Sequence, residues 1–284
     1  MADGRSAVEY RGAEMDASRV ESIAVDGRRL AWRLVGSGPP LLLVNGYAAT
    51  GADWDPGFLA ALAEGHEVVC PDNCGVGESD PPSGPMSVDA LAADLEAVLA
   101  ARGVDACPVV GWSMGGFAAQ RLAETSPGRV SALGLLATDP GGATSVAPDP
   151  ADWALLTDHS GSPREQASRL ISLLFPPPQA EEIDREFGEV VAAARADLSP
   201  AVLAAQEEAM ESWHRQDRPP AADRKPTIIL HGDQDRVIPA ANSAPLAARW
   251  GAAEPEVFAG CGHGLMAQEP AAVASRLREF FAGA

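Results

Sequence analysis

Eight residues constrain this chain more than any others: Val109-Val110-Gly111-Trp112-Ser113-Met114-Gly115-Gly116. They read as a short apolar strand, then Gly-x-Ser-x-Gly, then an alanine-rich helix from Phe117 to about Ser126. A serine between two such glycines can sit on a sharp strand-to-helix turn, its backbone strained and its hydroxyl pushed out above the sheet. Gly111 and Gly115 lack a Cβ, so strand and helix can approach closely around that turn. The helix N-terminus points N–H groups at any negative charge that develops beside Ser113. In a chain with 28 glycines the bare pattern is weak evidence. Its weight comes from the apolar strand before it and the helix pattern after it.

The rest of the chain is laid out around that turn. Val20–Val25 and Leu30–Val35 flank Asp26-Gly27, a hairpin signal. Leu41-Leu42-Leu43-Val44 is a continuous apolar run of the kind buried on both faces of a sheet, and Asn45-Gly46-Tyr47 ends it. A helix around Phe58–Ala63, a strand at Glu67–Cys70 and a loop from Pro71 to Ser79 follow. Ser87 opens a helix running to about Arg102, stopped by Gly103, and Val130–Ala137 is a further strand. Such alternation of strands and helices predicts a mostly parallel, doubly wound sheet. From about Asp139 to Lys225 it breaks: three helix patterns and many prolines occur there, without a convincing strand. One pattern, at Ile171, Leu174 and Phe175, must end at Pro176-Pro177-Pro178. The core pattern resumes at Thr227–His231 and closes with a helix from Pro270 to Phe281.

A length of 284 residues suits one large core with room for an inserted subdomain. A net charge of −19, with Lys225 the single lysine, argues against nucleic acid and anionic membrane surfaces as partners. Met1 to Arg19 is polar and charged, so it reads as a flexible tail and not as a secretory signal. No run has the length of a membrane-spanning helix, and a cytoplasmic location is the expectation. Cys70, Cys74, Cys107 and Cys261 are spaced unlike a disulfide framework, and no second pair or histidine completes a zinc set around Cys70 and Cys74. Neither metal nor organic cofactor is expected.

A serine hydroxyl is a poor nucleophile until a base takes its proton, and that base needs an orienting carboxylate. With the nucleophile at a mid-sheet turn, the partners are expected later in the chain, acid first and histidine second. Among five histidines only His263 sits in a glycine-rich loop after the last strand, downstream of an acid loop. His231 ends a strand just before that acid loop and reads as structural or pocket-lining. On the acid loop Asp235 is the choice, with Asp233 a loop-stabilising side chain, and Asp139 a rival because it too ends a core strand. Two backbone donors to an oxyanion are expected, the N–H groups of Met114 and Tyr47, each worth about 3–4 kcal/mol of barrier. Trp112, beside the serine, is the candidate to line a pocket. Most of the apolar side chains of 139–225, among them Trp153, Leu170, Phe187 and Trp213, are expected simply to pack that segment on the sheet.

Together these pieces resemble an α/β-hydrolase-fold serine hydrolase from about Val20 to Phe281. The matching stretches are Gly111 to Gly116, Pro71-Asp72 with Gly75 to Ser79, Gly232 to Pro239, and Gly262-His263 with Glu269-Pro270. The resemblance implies a core at 20–138 and 226–284 with a helical cap at 139–225, and it puts the acid on Asp235 by the Gly-x-x-Asp-x-x-x-Pro spacing. Asn45 stands where many members have histidine, and Cys74 where arginine is usual. The activity implied is hydrolysis of a small hydrophobic ester or lactone, by a carboxylesterase, lactonase or methylesterase. Cofactor-free haloperoxidases (perhydrolases) and carbon–carbon hydrolases share the same residues, and a ligand-binding protein could keep the same shell.

Overall fold

A computed structural model describes residues 19–284. The tail expected at 1–19 therefore lies outside the described residues, apart from Arg19, which opens the first strand. Strands β1 (Arg19–Val25) and β2 (Arg28–Gly36) form a hairpin turned by Asp26 and Gly27, both at positive φ as a two-residue turn requires. Six more strands follow: β3 (Pro40–Val44), β4 (Glu67–Pro71), β5 (Cys107–Trp112), β6 (Val130–Leu136), β7 (Thr227–Gly232) and β8 (Glu256–Phe258). They make one sheet in the order β1-β2-β4-β3-β5-β6-β7-β8. β2 is antiparallel to both neighbours, and every pairing from β4 to β8 is parallel.

Strand β3 explains why the sheet has two apolar faces. Leu41 and Leu43 pack with Phe58 and Leu62 of α1 (Pro56–Ala63). Leu42 and Val44 point the other way, among residues of α2 (Val88–Ala101) and α3 (Met114–Thr125) such as Leu95, Leu99 and Phe117. A period of two with both sides buried gives the unbroken apolar run seen in the sequence. Ser87 Oγ accepts from Ala90 N–H at 3.1 Å, so α2 starts where its cap residue stands.

Between β6 and β7 the chain forms four helices: α4 (Pro150–Leu156), α5 (Pro163–Leu174), α6 (Pro177–Ala196) and α7 (Pro200–Arg215). Three helix patterns were legible there; α4, at seven residues, is too short to show a period and is marked by its Asp149 cap and Pro150. The three prolines end α5, and two of them also occupy the first positions of α6, where a missing N–H costs nothing. Trp213 of α7 is fully buried and stacks on Phe117 of α3 at 5.3 Å, fixing this segment to the core. The chain closes with α8 (Ser243–Trp250), the short α9 (Leu265–Gln268) and α10 (Pro270–Ala282), whose Val273 and Leu277 join the α1 face. Because β3 and β5 to β8 run parallel, the loops after all of them gather at one edge of the sheet.

Candidate active site

Ser113 stands between β5 and α3 at φ 54°, ψ −125°. A side-chain-bearing residue in that region stores strain of about 1–3 kcal/mol, which the surroundings must hold. They do so with three hydrogen bonds. Ser113 N–H donates to Leu136 O at 3.0 Å, and its carbonyl accepts from Gly116 N–H and from Thr138 Oγ1, each at 2.8 Å. The flanking glycines are needed for close approach: a Cβ on Gly111 would stand 2.4 Å from Gly115 O, and one on Gly115 2.3 Å from Val44 O. The helix begins at Met114, three residues earlier than the alanine pattern suggests, so its first N–H groups border the serine.

Asp235, in the loop after β7, is buried and uses both oxygens. Oδ1 accepts from the N–H groups of Val237 and Ile238, each at 2.9 Å. Oδ2 accepts from His263 Nδ1 at 2.8 Å and from His231 Nε2 at 3.1 Å. Burial alone would raise the acid's pKa, but the charge of His263 and the hydrogen bonds from both rings outweigh it and bring the carboxyl down to about 2. His231 is fully buried; its Nε2 faces two acceptors, Asp235 and Ile238 O at 2.7 Å, so the proton sits there and Ser243 Oγ donates to Nδ1. Of the two roles open to His231 in the sequence, the structural one applies. Its place on the acid was missed, although the four-residue spacing to Asp235 across a turn was the available signal. Asp233 Oδ1 accepts from Gly260 N–H at 2.7 Å and ties the acid loop to the histidine loop.

A depressed carboxyl pKa has a consequence for stability. Ionised Asp235 contributes fully above the ordinary carboxylate range near pH 4, and that contribution is lost as pH falls toward 2. Thermal melts should therefore find Asp235→Asn less stable than the parent at pH 6, with the gap closing between pH 4 and 2. A gap that stayed constant to pH 2 would contradict the assignment.

Asp139, the rival acid, is also buried but engages other partners. Its Oδ1 accepts from Gly141 N–H at 2.8 Å and Ser145 Oγ at 3.0 Å, and its Oδ2 from His214 Nε2 of α7 at 2.9 Å.

The loop after β3 lies against the serine. A Cβ on Gly46 would stand 3.2 Å from Ser113 Cβ. Asn73 Nδ2 donates to the carbonyls of Asn45 and Gly46 at 3.1 and 3.3 Å, which turns the following N–H groups the other way. Ala48 N–H is taken by Gln206 Oε1 at 2.8 Å, and the Tyr47 hydroxyl donates to Glu207. Burial, and then that bond to Glu207, push the Tyr47 pKa well above its ordinary value, so the hydroxyl stays a donor. Two residues of α7 thus clamp the loop beside the serine.

Ser113, His263, Tyr47 and Trp112 line one cavity of about 1100 Å³, at the upper edge of small-molecule sites. No hydrogen bond joins Ser113 Oγ to the His263 ring among the described residues; such contacts often tighten only with substrate bound. Trp112 Nε1 donates to His263 O at 2.9 Å and its ring lies 5.3 Å from the imidazole, so it positions the histidine loop as well as lining the cavity. Trp153, Leu170, Leu174, Phe175, Phe187 and Met210 of the inserted helices form much of the remaining wall. More of them face the cavity than the sequence suggested, whereas Leu155 is exposed and Trp213 buried in packing.

Residues 39–270 match the family model described as alpha/beta hydrolase fold. The chain belongs to the α/β-hydrolase family. A non-heme haloperoxidase from Rhodococcus erythropolis is 27% identical over 267 residues, 85% of this chain and 92% of that protein. The crystal structure of a hydrolase from Pseudomonas aeruginosa PA01 superposes with a TM-score of 0.77 at 27% identity, covering 92% of this chain and 98% of that one. The esterase RhEst1 from Rhodococcus sp. ECU1013 shares the fold, with a TM-score of 0.75 at 24% identity over 94% of this chain and 98% of that one. Membership of the α/β-hydrolase family supports a hydrolase. Among the described residues, no helix is long and apolar enough to cross a membrane, and no group of three His, Cys, Asp or Glu is placed to hold a metal ion.

Proposed function

We propose that this α/β-hydrolase cleaves a hydrophobic ester or lactone through an acyl-enzyme on Ser113. His263 takes the Ser113 proton as Oγ attacks the carbonyl carbon, and Asp235 holds the ring's tautomer and steadies the imidazolium. The N–H groups of Met114 and Tyr47 receive the oxyanion. The alcohol leaves with the proton from His263; water then attacks the acyl carbon, gives its proton to His263, and frees Ser113. The observation that carries this reading is the 2.8 Å bond from His263 Nδ1 to buried Asp235, with His263 and strained Ser113 on one cavity. The largely apolar wall favours hydrophobic acyl or alcohol groups. Labelling with a fluorophosphonate probe tests it, followed by a panel of ester and lactone substrates.

A second reading rests on the Rhodococcus haloperoxidase. Hydrogen peroxide in place of water would attack the same acyl-enzyme, releasing a peracid and regenerating the serine. Peracid formation from a short carboxylic ester and peroxide distinguishes the two.

In either case the charge is carried by N–H donors and by imidazole, so no metal is needed. Dialysis against a chelator is expected to leave ester turnover unchanged. A loss restored by zinc would overturn that.

A further inference from the structure

Arg195, in the last turn of α6, is 9% exposed, and its side chain lines the cavity shared by Ser113 and His263. Its Nε is buried without a partner, and among the described residues its guanidinium makes neither a hydrogen bond nor an ion pair. Arg215, on the same cavity, is paired with Glu208 and Glu211. The acids that line the cavity are engaged elsewhere. Asp53 accepts from Thr50, Asp55 caps α1 at Phe58 N–H, Asp139 holds His214, Glu186 lies 4.0 Å from Arg185, and Glu211 holds Arg215. Burial pushes the Arg195 pKa down; the nearby Tyr47 opposes that and Arg169 adds to it, and no carboxylate contributes. Tyr47 itself is tied to Glu207.

A guanidinium that is mostly buried, with no counter-charge beside it, is costly, and the partial negative charge at a helix C-terminus offsets only part of that. Arginine's planar fork matches a carboxylate with two parallel hydrogen bonds. We propose that Arg195 binds an anionic group of the substrate, so that the ester taken here carries a free carboxylate away from the scissile bond. The apolar wall then holds the chain between the two ends, and the cation selects acidic esters over neutral ones of equal length. This rests on the ester-hydrolase reading above, but the anion site can be tested without turnover.

Two measurements decide it. The first compares kcat/KM for mono-p-nitrophenyl glutarate with that for p-nitrophenyl valerate, in the parent and in Arg195→Gln and Arg195→Lys. The acidic-to-neutral ratio is expected to fall about 10- to 100-fold in Arg195→Gln, and less in Arg195→Lys, which keeps the charge but not the fork. An unchanged ratio in Arg195→Gln overturns the proposal. The second measurement is calorimetric binding of glutarate and of glutaramide to the parent protein. Glutarate should bind at least tenfold more tightly, and equal affinities also overturn the proposal. If neither ester were turned over while glutarate bound selectively, the hydrolase reading would fail and the anion site would stand.

Discussion

Replacing Ser113 with alanine is expected to abolish fluorophosphonate labelling and to lower ester turnover by about 10⁴-fold or more. The size follows from the chemistry: without Oγ no acyl-enzyme forms, and only positioning and the oxyanion donors remain to help a direct attack by water. The variant is a clean test because the fold does not depend on the hydroxyl. Ser113 makes no side-chain bond to the start of α3, and the bonds that hold its strained backbone come from Leu136, Thr138 and Gly116. Alanine keeps the Cβ, so the strain at φ 54° is carried over unchanged. Melting temperatures of the two proteins should therefore agree closely. Undiminished turnover by the alanine variant would remove Ser113 from the nucleophile role.

What made the elbow readable was local. Gly111 and Gly115 report contacts within a few residues or with the adjoining strand, and the apolar runs of β3 and β5 report burial on both sheet faces. The resemblance put the acid on Asp235 through the spacing of its own loop, His263 was chosen for its glycine-rich loop after the last strand, and the parallel sheet explains why loops far apart in sequence gather at one edge. Contacts made across elements left no such trace. The clamp of Gln206 and Glu207 on the Tyr47 loop joins residues about 160 positions apart. The inserted helices show the same limit. A helix buries an apolar stripe whether the stripe meets the sheet or a cavity, so Trp153 and Phe187 at the cavity and Trp213 in packing look alike in sequence. Arg195 gave no signal at all, because an arginine in the last turn of a polar helix is ordinary until its burial is known.

Asp235→Asn is expected to lower turnover by about 10³–10⁴-fold, whereas Asp139→Asn should cost far less. Both carboxyls are buried at carboxyl ends of neighbouring core strands, so position alone does not choose between them. Their partners do. Asp235 Oδ2 accepts from His263 Nδ1, while Asp139 Oδ2 accepts from His214, which α7 brings in from the inserted segment. An asparagine at 235 can turn its Nδ2 toward His263. Nδ1 of that ring would then have to accept, and the ring proton would move to Nε2, leaving no free pair there to take the serine's proton. The imidazolium formed during attack would also lose its counter-charge. At 139 the same change would loosen the His214 contact and the turn at Gly141 and Ser145, so its effect should fall on KM more than on kcat. Steady-state kinetics of the two variants on one hydrophobic ester separate these outcomes. If Asp139→Asn lost kcat and Asp235→Asn only weakened substrate binding, the orienting carboxylate would be the one after β6, and the short bond between Asp235 and His263 would be a structural contact.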